Sequence, residues 1–371
     1  SAGTPAGLGP FELTLFALLP QIPEPELAAG ILAFRLVYYA LPAALAATSL
    51  LLRPSTAEHH APPAPMPPTS RHLSHARRAE LGVARQNAAR LLQAADCTAV
   101  TVQTSQTLTA LFDPAEGTAA ALLPALTACA RSRNRLPVLY KCSPRTALAA
   151  RHAGFAVAHV ASEALINPQS FSLNGSAHRQ LRRNLRQASK SGLHLSVPTA
   201  LPFTEMAKID AQWCTRNNGA RGFSMGRFCP TYLRQQRVYL AYQNDRLVAF
   251  VSFHVSAHEI CLDLMRSANK VPDGTMHALI VQAIEDARLS GRTRLSLAAL
   301  PARSHRAWLG RLIAHLTGST GLAQFKDSFA PRYAPLYMAA PTRLSLGIAM
   351  LDLARSVANP ASETVPPTTS L

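Results

Sequence analysis

The chain has 371 residues, 48% hydrophobic and 15% charged. That length suits two or three domains, and that composition excludes a disordered polyelectrolyte. Lys and Arg number 37 against 20 Asp and Glu, a net charge of +17 that calls for an acidic partner such as nucleic acid or anionic lipid. Only five of the basic residues are lysine, so genome bias toward arginine is the competing explanation. The placement is uneven, however: residues 1–53 carry a net −1 and residues 54–371 a net +18.

In chain order, residues 8–22 (LGPFELTLFALLPQI) are apolar and suit the end of one membrane helix, closed by the turn PEPE at 23–26. Residues 27–52 (LAAGILAFRLVYYALPAALAATSLLL) hold one charge, Arg35, and are long enough to cross a bilayer. Pro42 is expected to kink that span. No basic region precedes it, which argues against a signal peptide. A buried helix of a soluble protein is the bland alternative. The start at Ser1, without methionine, suggests the middle of a longer polypeptide with further membrane helices upstream. Arg53 and RHLSHARR at 71–78 flank the span with positive charge and place the following body in the cytoplasm. Residues 54–70, with six prolines, read as an extended linker.

Beyond the linker, periodicity predicts a helix over 72–95, strands at 98–103 and 136–141 with a helix near 115–131 between them, a helix at 144–154 and a strand at 155–161. Next come a helix at 175–191, a strand at 193–197 and a helix at 202–217. Residues 238–267 split at QNDR and SAHE into a three-stranded antiparallel meander. A loop, a helix from Thr275 to Ser290, a strand at 291–300 and a helix at 303–316 follow. Residues 343–358 read as an amphipathic helix, and the tail ASETVPPTTSL as disordered. This pattern is mixed α/β. Its order is seen in N-acetyltransferase-like folds, but periodicity alone stops at the class.

Several residues stand out chemically. In SAHRQLRRNLRQASKSG, Arg179, Arg183, Arg186 and Lys190 share one helical face, with Arg182 beside them and no acid in the run. Such a face suits phosphates, or else is simply solvated. Asp263 lies between Leu262 and Leu264 in a strand, so it needs a buried partner, and Arg266 is the nearest cation in sequence. Gly274 and Thr275 open a helix whose N-terminus could take an anion, although Asp-Gly-Thr is also an ordinary turn and cap. Lys326 sits between Phe325 and Phe329, as a phosphate ligand or a snorkelling residue. The six cysteines form no CxxC pair and read as reduced thiols. His254 and His258 have no third ligand nearby in sequence, so a metal site is not expected there. There is no GxSxG, Walker, HExxH or dinucleotide fingerprint, and the acetyl-CoA pyrophosphate signature is missing before Thr275.

Taken together, GFSMGRF (222–228), AFVSF (249–253), DLMR (263–266), VPDGTMHALI (271–280) and GLAQFKDSFAPRYAPLYMA (321–339) are similar, in order, to motifs of the lysylphosphatidylglycerol synthases, the multiple peptide resistance factors. FSLNGSAHRQLRRNLRQASKSGL (171–193) resembles that family's basic helix, and PAGLGPFE (5–12) and LAFRLVYYALP (32–42), within the membrane segment 1–53, resemble the last helices of its flippase region. The resemblance implies two tandem N-acetyltransferase-like (GNAT) folds, at 71–200 and 201–342, the second catalytic, after the membrane segment and linker and before a terminal helix and tail at 343–371. It implies transfer of an amino acid, lysine or alanine, from aminoacyl-tRNA to phosphatidylglycerol, with no cofactor and no metal. It also implies a multi-pass protein of the bacterial inner membrane, which admits a homo-oligomer formed through the membrane region. Asp263, Arg266 and Lys326 match the family's catalytic residues. Arg179, Arg182, Arg183, Arg186, Lys190, Gly274 and Thr275 would bind substrate. The sequence departs from the family's pattern at Ala220, His277 and 296–302. A thioester-dependent N-acyltransferase and a non-catalytic basic membrane adaptor are the alternatives.

Overall fold

The computed structural model describes residues 10–45, 66–94, 96–217, 219–302 and 319–358. The helix expected at 303–316, residues 46–65 and the tail after 358 lie outside the described residues. The chain divides into two compact units, residues 1–62 and 63–371.

In the first unit, α1 spans Pro10–Leu18 and α2 spans Glu24–Leu45. The 22 residues of α2 have a mean hydropathy of 1.6, long and apolar enough to cross a membrane. Pro42 does not break this helix. A π turn at Leu36–Ala40 lies just before it, a local widening that accommodates a proline ring without ending the helix.

The second unit is built on one 11-stranded sheet. Its strands in chain order are β1 (Arg90–Ala94), β2 (Cys97–Gln103), β3 (Thr107–Leu111), β4 (Leu136–Cys142), β5 (Ala156–Ile166), β6 (His194–Ser196), β7 (Arg237–Gln243), β8 (Arg246–Val255), β9 (Ile260–Ser267), β10 (Leu295–Pro301) and β11 (Arg332–Ala340). In space the order is β1-β2-β3-β4-β11-β5-β10-β9-β8-β7-β6. Two pairs are parallel, β3 with β4 and β9 with β10; every other neighbouring pair is antiparallel. Each half therefore runs from an antiparallel meander into a parallel pair. The halves are tied at the centre, where β11 fills the gap between β4 and β5 and β5 pairs with β10.

The described helices of this unit are α3 (Ser70–Ser74), α4 (Ala119–Ser132), α5 (Pro144–His152), α6 (Arg179–Lys190), α7 (Phe203–Arg216), α8 (Pro230–Leu233), α9 (Thr275–Leu289), α10 (Ser319–Asp327) and α11 (Arg343–Ala358). Thr118 and Ser143 cap α4 and α5 by accepting from backbone N–H groups three residues on. The meander β7–β8–β9 follows the expected breaks.

The helix expected over 72–95 is not formed. Residues 79–86 are a 3-10 helix and Arg90–Ala94 are β1. The reason is burial: Ala79 through Ala84 are all buried, so the segment has no solvent face on which a 3.6-residue period could show. Strands β3 and β11 are further elements that the alternation did not reveal.

Gly274 sets the spacing of α6 against α9. Its φ is +84°, and a Cβ there would lie 2.0 Å from the Asn184 carbonyl oxygen. Gly274→Ala is therefore expected to destabilise by more than about 1 kcal/mol, readable as a lower denaturation midpoint. An unchanged midpoint would show that the two helices can part freely.

Candidate active site

The 3-10 helix lies across the sheet and brings polar groups onto a buried band running from β9 and β8 through β10 to β5 and β4. At one end is Asp263. Its Oδ2 accepts from the Tyr232 hydroxyl at 2.8 Å and from Gln236 Nε2 at 2.9 Å, and His254 Nε2 lies at 3.4 Å. Burial pushes this carboxyl up, but His254, Gln236 and Tyr232 outweigh it and hold Asp263 below the ordinary aspartate value. Burial, with Asp263 adding to it, raises the Tyr232 phenol well above its usual value, so Tyr232 keeps its proton and donates. Two glycines seal the cluster. A Cβ on Gly226 would meet the Asp263 carboxylate at 2.2 Å, and one on Gly82 would meet His254 Nδ1 at 2.3 Å. His254 Nδ1 itself is buried without a hydrogen-bond partner among the described residues.

The rest of the band is an ion network. Glu163, 1% exposed, accepts from Arg78 at 2.9 Å, Arg294 at 2.9 Å and the Ser296 hydroxyl at 2.8 Å. Glu80 joins Lys141 at 2.5 Å and Arg78 at 2.6 Å. Glu259 pairs with Arg294 and accepts from the Ala79 N–H at 3.2 Å. Burial and the neighbouring Glu163 raise the Glu259 carboxyl, while burial raises the Cys261 thiol between them. Arg294 also lines a surface groove of about 410 Å³ with His258 and Arg292, so the network reaches solvent there.

Lys326 is 2% exposed, and its Nζ donates to the carbonyls of Ala298 at 3.1 Å and Ala299 at 3.3 Å. Those carbonyls belong to a bulge in β10, where Ala298 has φ +62°. Burial pulls the Lys326 ammonium down to about 8. Between about 8 and the ordinary lysine value of 10.5, the unfolded chain holds more protons than the folded one. This group therefore contributes stability that grows as pH rises through that window. Lys326→Met is expected to lack this contribution, so the wild type should gain on the variant in denaturant midpoint between about pH 7.5 and 9.5. Parallel pH profiles would refute the depressed titration.

The expected pairing of Asp263 with Arg266 is not present. Residues three apart on a strand face opposite sides of the sheet. Arg266 instead pairs with Asp210 of α7 at 2.5 Å, and its guanidinium sits 3.7 Å above the Trp213 ring. Arg182 donates to the carbonyls of Leu173 and Gly175 and so braces the loop before α6. Arg179, Arg183, Arg186 and Lys190 lie exposed, with no acidic partner among the described residues. Gly274 packs on Asn184, and Thr275 is buried with its hydroxyl on the Pro272 carbonyl at 2.7 Å. His277 lies against Phe325 and Phe329 and close to the Asn184 side chain, linking α9 to α6 and α10; burial lowers its imidazole.

The family profile described as "Phosphatidylglycerol lysyltransferase, C-terminal" matches residues 69–340. The chain belongs to this family. The phosphatidylglycerol lysyltransferase of Bacillus subtilis is 25% identical over 234 residues, covering 57% of this chain and 27% of that protein. A lysylphosphatidylglycerol biosynthesis bifunctional protein of Mycolicibacterium vanbaalenii is 29% identical over 168 residues, covering 43% and 15%. The chain thus spans about a quarter or less of these relatives. Among solved structures, the DUF2156 C-terminal domain of an Agrobacterium fabrum protein described as a lysylphosphatidylglycerol synthetase superposes with a TM-score of 0.70 at 22% identity, covering 79% of this chain and 97% of that one. L-PGS from Bacillus licheniformis gives 0.66 at 21%, covering 79% and 98%. The mixed α/β architecture of this lysyltransferase-family chain is therefore shared with those domains.

Sequence reasoning missed most of the band: Arg78, Glu80, Lys141, Glu163, Glu259 and Arg294. Glu163 carried a readable signal, an acid set among Ala161, Ala164 and Leu165, the same kind of context that singled out Asp263.

Proposed function

We propose that this chain transfers a lysyl or alanyl group from aminoacyl-tRNA to the glycerol hydroxyl of phosphatidylglycerol. The observation that carries this reading is the family match across residues 69–340, which includes both Asp263 and Lys326. In the reaction, a glycerol oxygen bonds to the aminoacyl carbonyl carbon and the ester bond to the tRNA ribose breaks. The glycerol proton ends on the ribose oxygen. The ester is already activated, so no further energy source enters the balance.

In this reading Asp263, kept ionised by its three donors, takes the glycerol proton. Lys326, easily deprotonated for a lysine, faces the developing oxyanion and gives a proton to the ribose oxygen, and the proton taken by Asp263 passes through solvent to restore the lysine, so the two groups end as they began. Arg266 acts as a positioning residue that clamps α7 onto β9. Arg179, Arg183, Arg186 and Lys190 take the phosphates of the tRNA acceptor stem. Residues 201–342 form the catalytic half. Helix α2 is the last span of a multi-pass inner-membrane region, with the basic body in the cytoplasm.

The test is incorporation of labelled amino acid from charged tRNA into phosphatidylglycerol vesicles containing the full chain. Ribonuclease should abolish it. Incorporation that survives ribonuclease, fed by free amino acid and ATP, would rule out the tRNA donor. Labelling from an acyl thioester instead would favour the N-acyltransferase alternative.

A further inference from the structure

Helix α11 is amphipathic in an unusual sense, since its outward face is the greasy one. Leu346, Ala349 and Leu353 bury one side against the body. On the other side Leu344 is 76% exposed, Leu351 64% and Ile348 38%. These positions follow the i, i+4, i+7 spacing of a single helical stripe. Gly347 and Ala354 border the stripe, and no polar residue falls on it between Leu344 and Leu351; Arg355, four residues past Leu351, lies on the same line and ends it. The charges beside it are Arg343 and Arg355, both exposed, one at each end.

The helix has one acid, Asp352, and it is turned inward. Its carboxylate accepts from the Thr104 and Ser105 hydroxyls, each at 2.5 Å, and from the Gln106 N–H at 3.2 Å. This clamp fixes the rotation of α11 on the body, so the leucine stripe is held outward. Exposed leucines scattered singly need no explanation, but an aligned, acid-free stripe flanked by arginines does.

We propose that the outer face of α11 docks in the plane of an anionic lipid surface, with Leu344, Ile348 and Leu351 in the acyl boundary and Arg343 and Arg355 at the headgroups. An apolar face with basic flanks and no acid is the composition of an interfacial helix, and its charge complements anionic headgroups. A protein partner would be expected to meet the two arginines with acids across a polar rim. The contact gives the body an attachment to the membrane separate from α2. It goes beyond the transfer reading and requires no turnover.

The test uses the full chain in vesicles of mixed phosphatidylcholine and phosphatidylglycerol carrying a photoactivatable acyl chain, with adducts mapped by mass spectrometry and no tRNA present. Adducts are expected in 343–358, with those in 24–45 reporting insertion of α2. The pair Leu344→Glu with Leu351→Glu should cut labelling of 343–358 more than about tenfold. Replacing phosphatidylglycerol by phosphatidylcholine should cut it by about fivefold for each arginine engaged. Both leucines are exposed, so the double variant should melt like the wild type. An unlabelled 343–358 beside a labelled 24–45 overturns the proposal. So does crosslinking of 343–358 between copies in detergent, which would make a second copy the occupant. Because transfer is assayed separately, failure here leaves the transfer reading standing, and the reverse holds equally.

Discussion

Asp263→Asn is expected to lower amino-acid transfer by about 10²–10⁴-fold, the range over which a positioned general base contributes. Asparagine keeps the shape of the carboxylate and an oxygen that can accept from Tyr232 and Gln236, but it loses charge and basicity. The fold should tolerate it better than Asp263→Leu, which would leave the Tyr232 hydroxyl and the Gln236 amide facing a hydrocarbon in a buried site. A purely structural carboxylate gives the reverse order, with stability lost and specific activity retained. Transfer rate and thermal melting, taken on the same purified Asp263→Asn protein, separate these outcomes. Turnover close to wild type would end the assignment of Asp263 as the base.

The largest loss of stability is expected at Glu163. Glu163→Ala removes the acceptor shared by Arg78, Arg294 and Ser296 and leaves buried positive charge short of its partner, a change worth about 3–5 kcal/mol. Glu80 and Glu259 still hold one arginine each, so the network loosens rather than collapses. Glu163→Gln should cost less, because its amide oxygen still accepts from the Ser296 hydroxyl. Denaturant unfolding of the two variants measures both. An alanine variant as stable as the wild type would mean that the charges are compensated by water.

Sequence patterning reached the elements whose periodicity is visible at the surface. The meander over β7, β8 and β9, the helices α4 and α5, and the basic face of α6 were all legible. It failed where burial is complete on every side, as at Ala79–Ala84, because an alternating signal needs a solvent face. That failure hid Arg78 and Glu80, which the 3-10 helix carries into the band. Strand β11 was hidden by Pro335, which reads as a strand breaker. The sheet tolerates it because β11 pairs with β4 only from Tyr337 to Ala339, so Pro335 has a strand partner on the β5 side alone. At the candidate site, Asp263 was legible as an acid among leucines, but its partners were not. Tyr232, Gln236 and His254 come from a short helix, its trailing turn and the adjacent strand, and only the folded chain brings them together.

The placement of β11 bears on how the chain is made. The strand that occupies the middle of the sheet leaves the ribosome about 170 residues after β5, its main pairing partner. Until residue 340 emerges, β4 and β5 have no neighbour between them and present two open edges, the template on which strands of other chains can pair. Completion of the sheet must therefore wait for residue 340 to emerge, and its long-range pairing makes that step slow. A nascent or prematurely terminated chain lacking β11 would be a half-assembled sheet with its central seam exposed, the kind of species that chaperones hold and proteases clear.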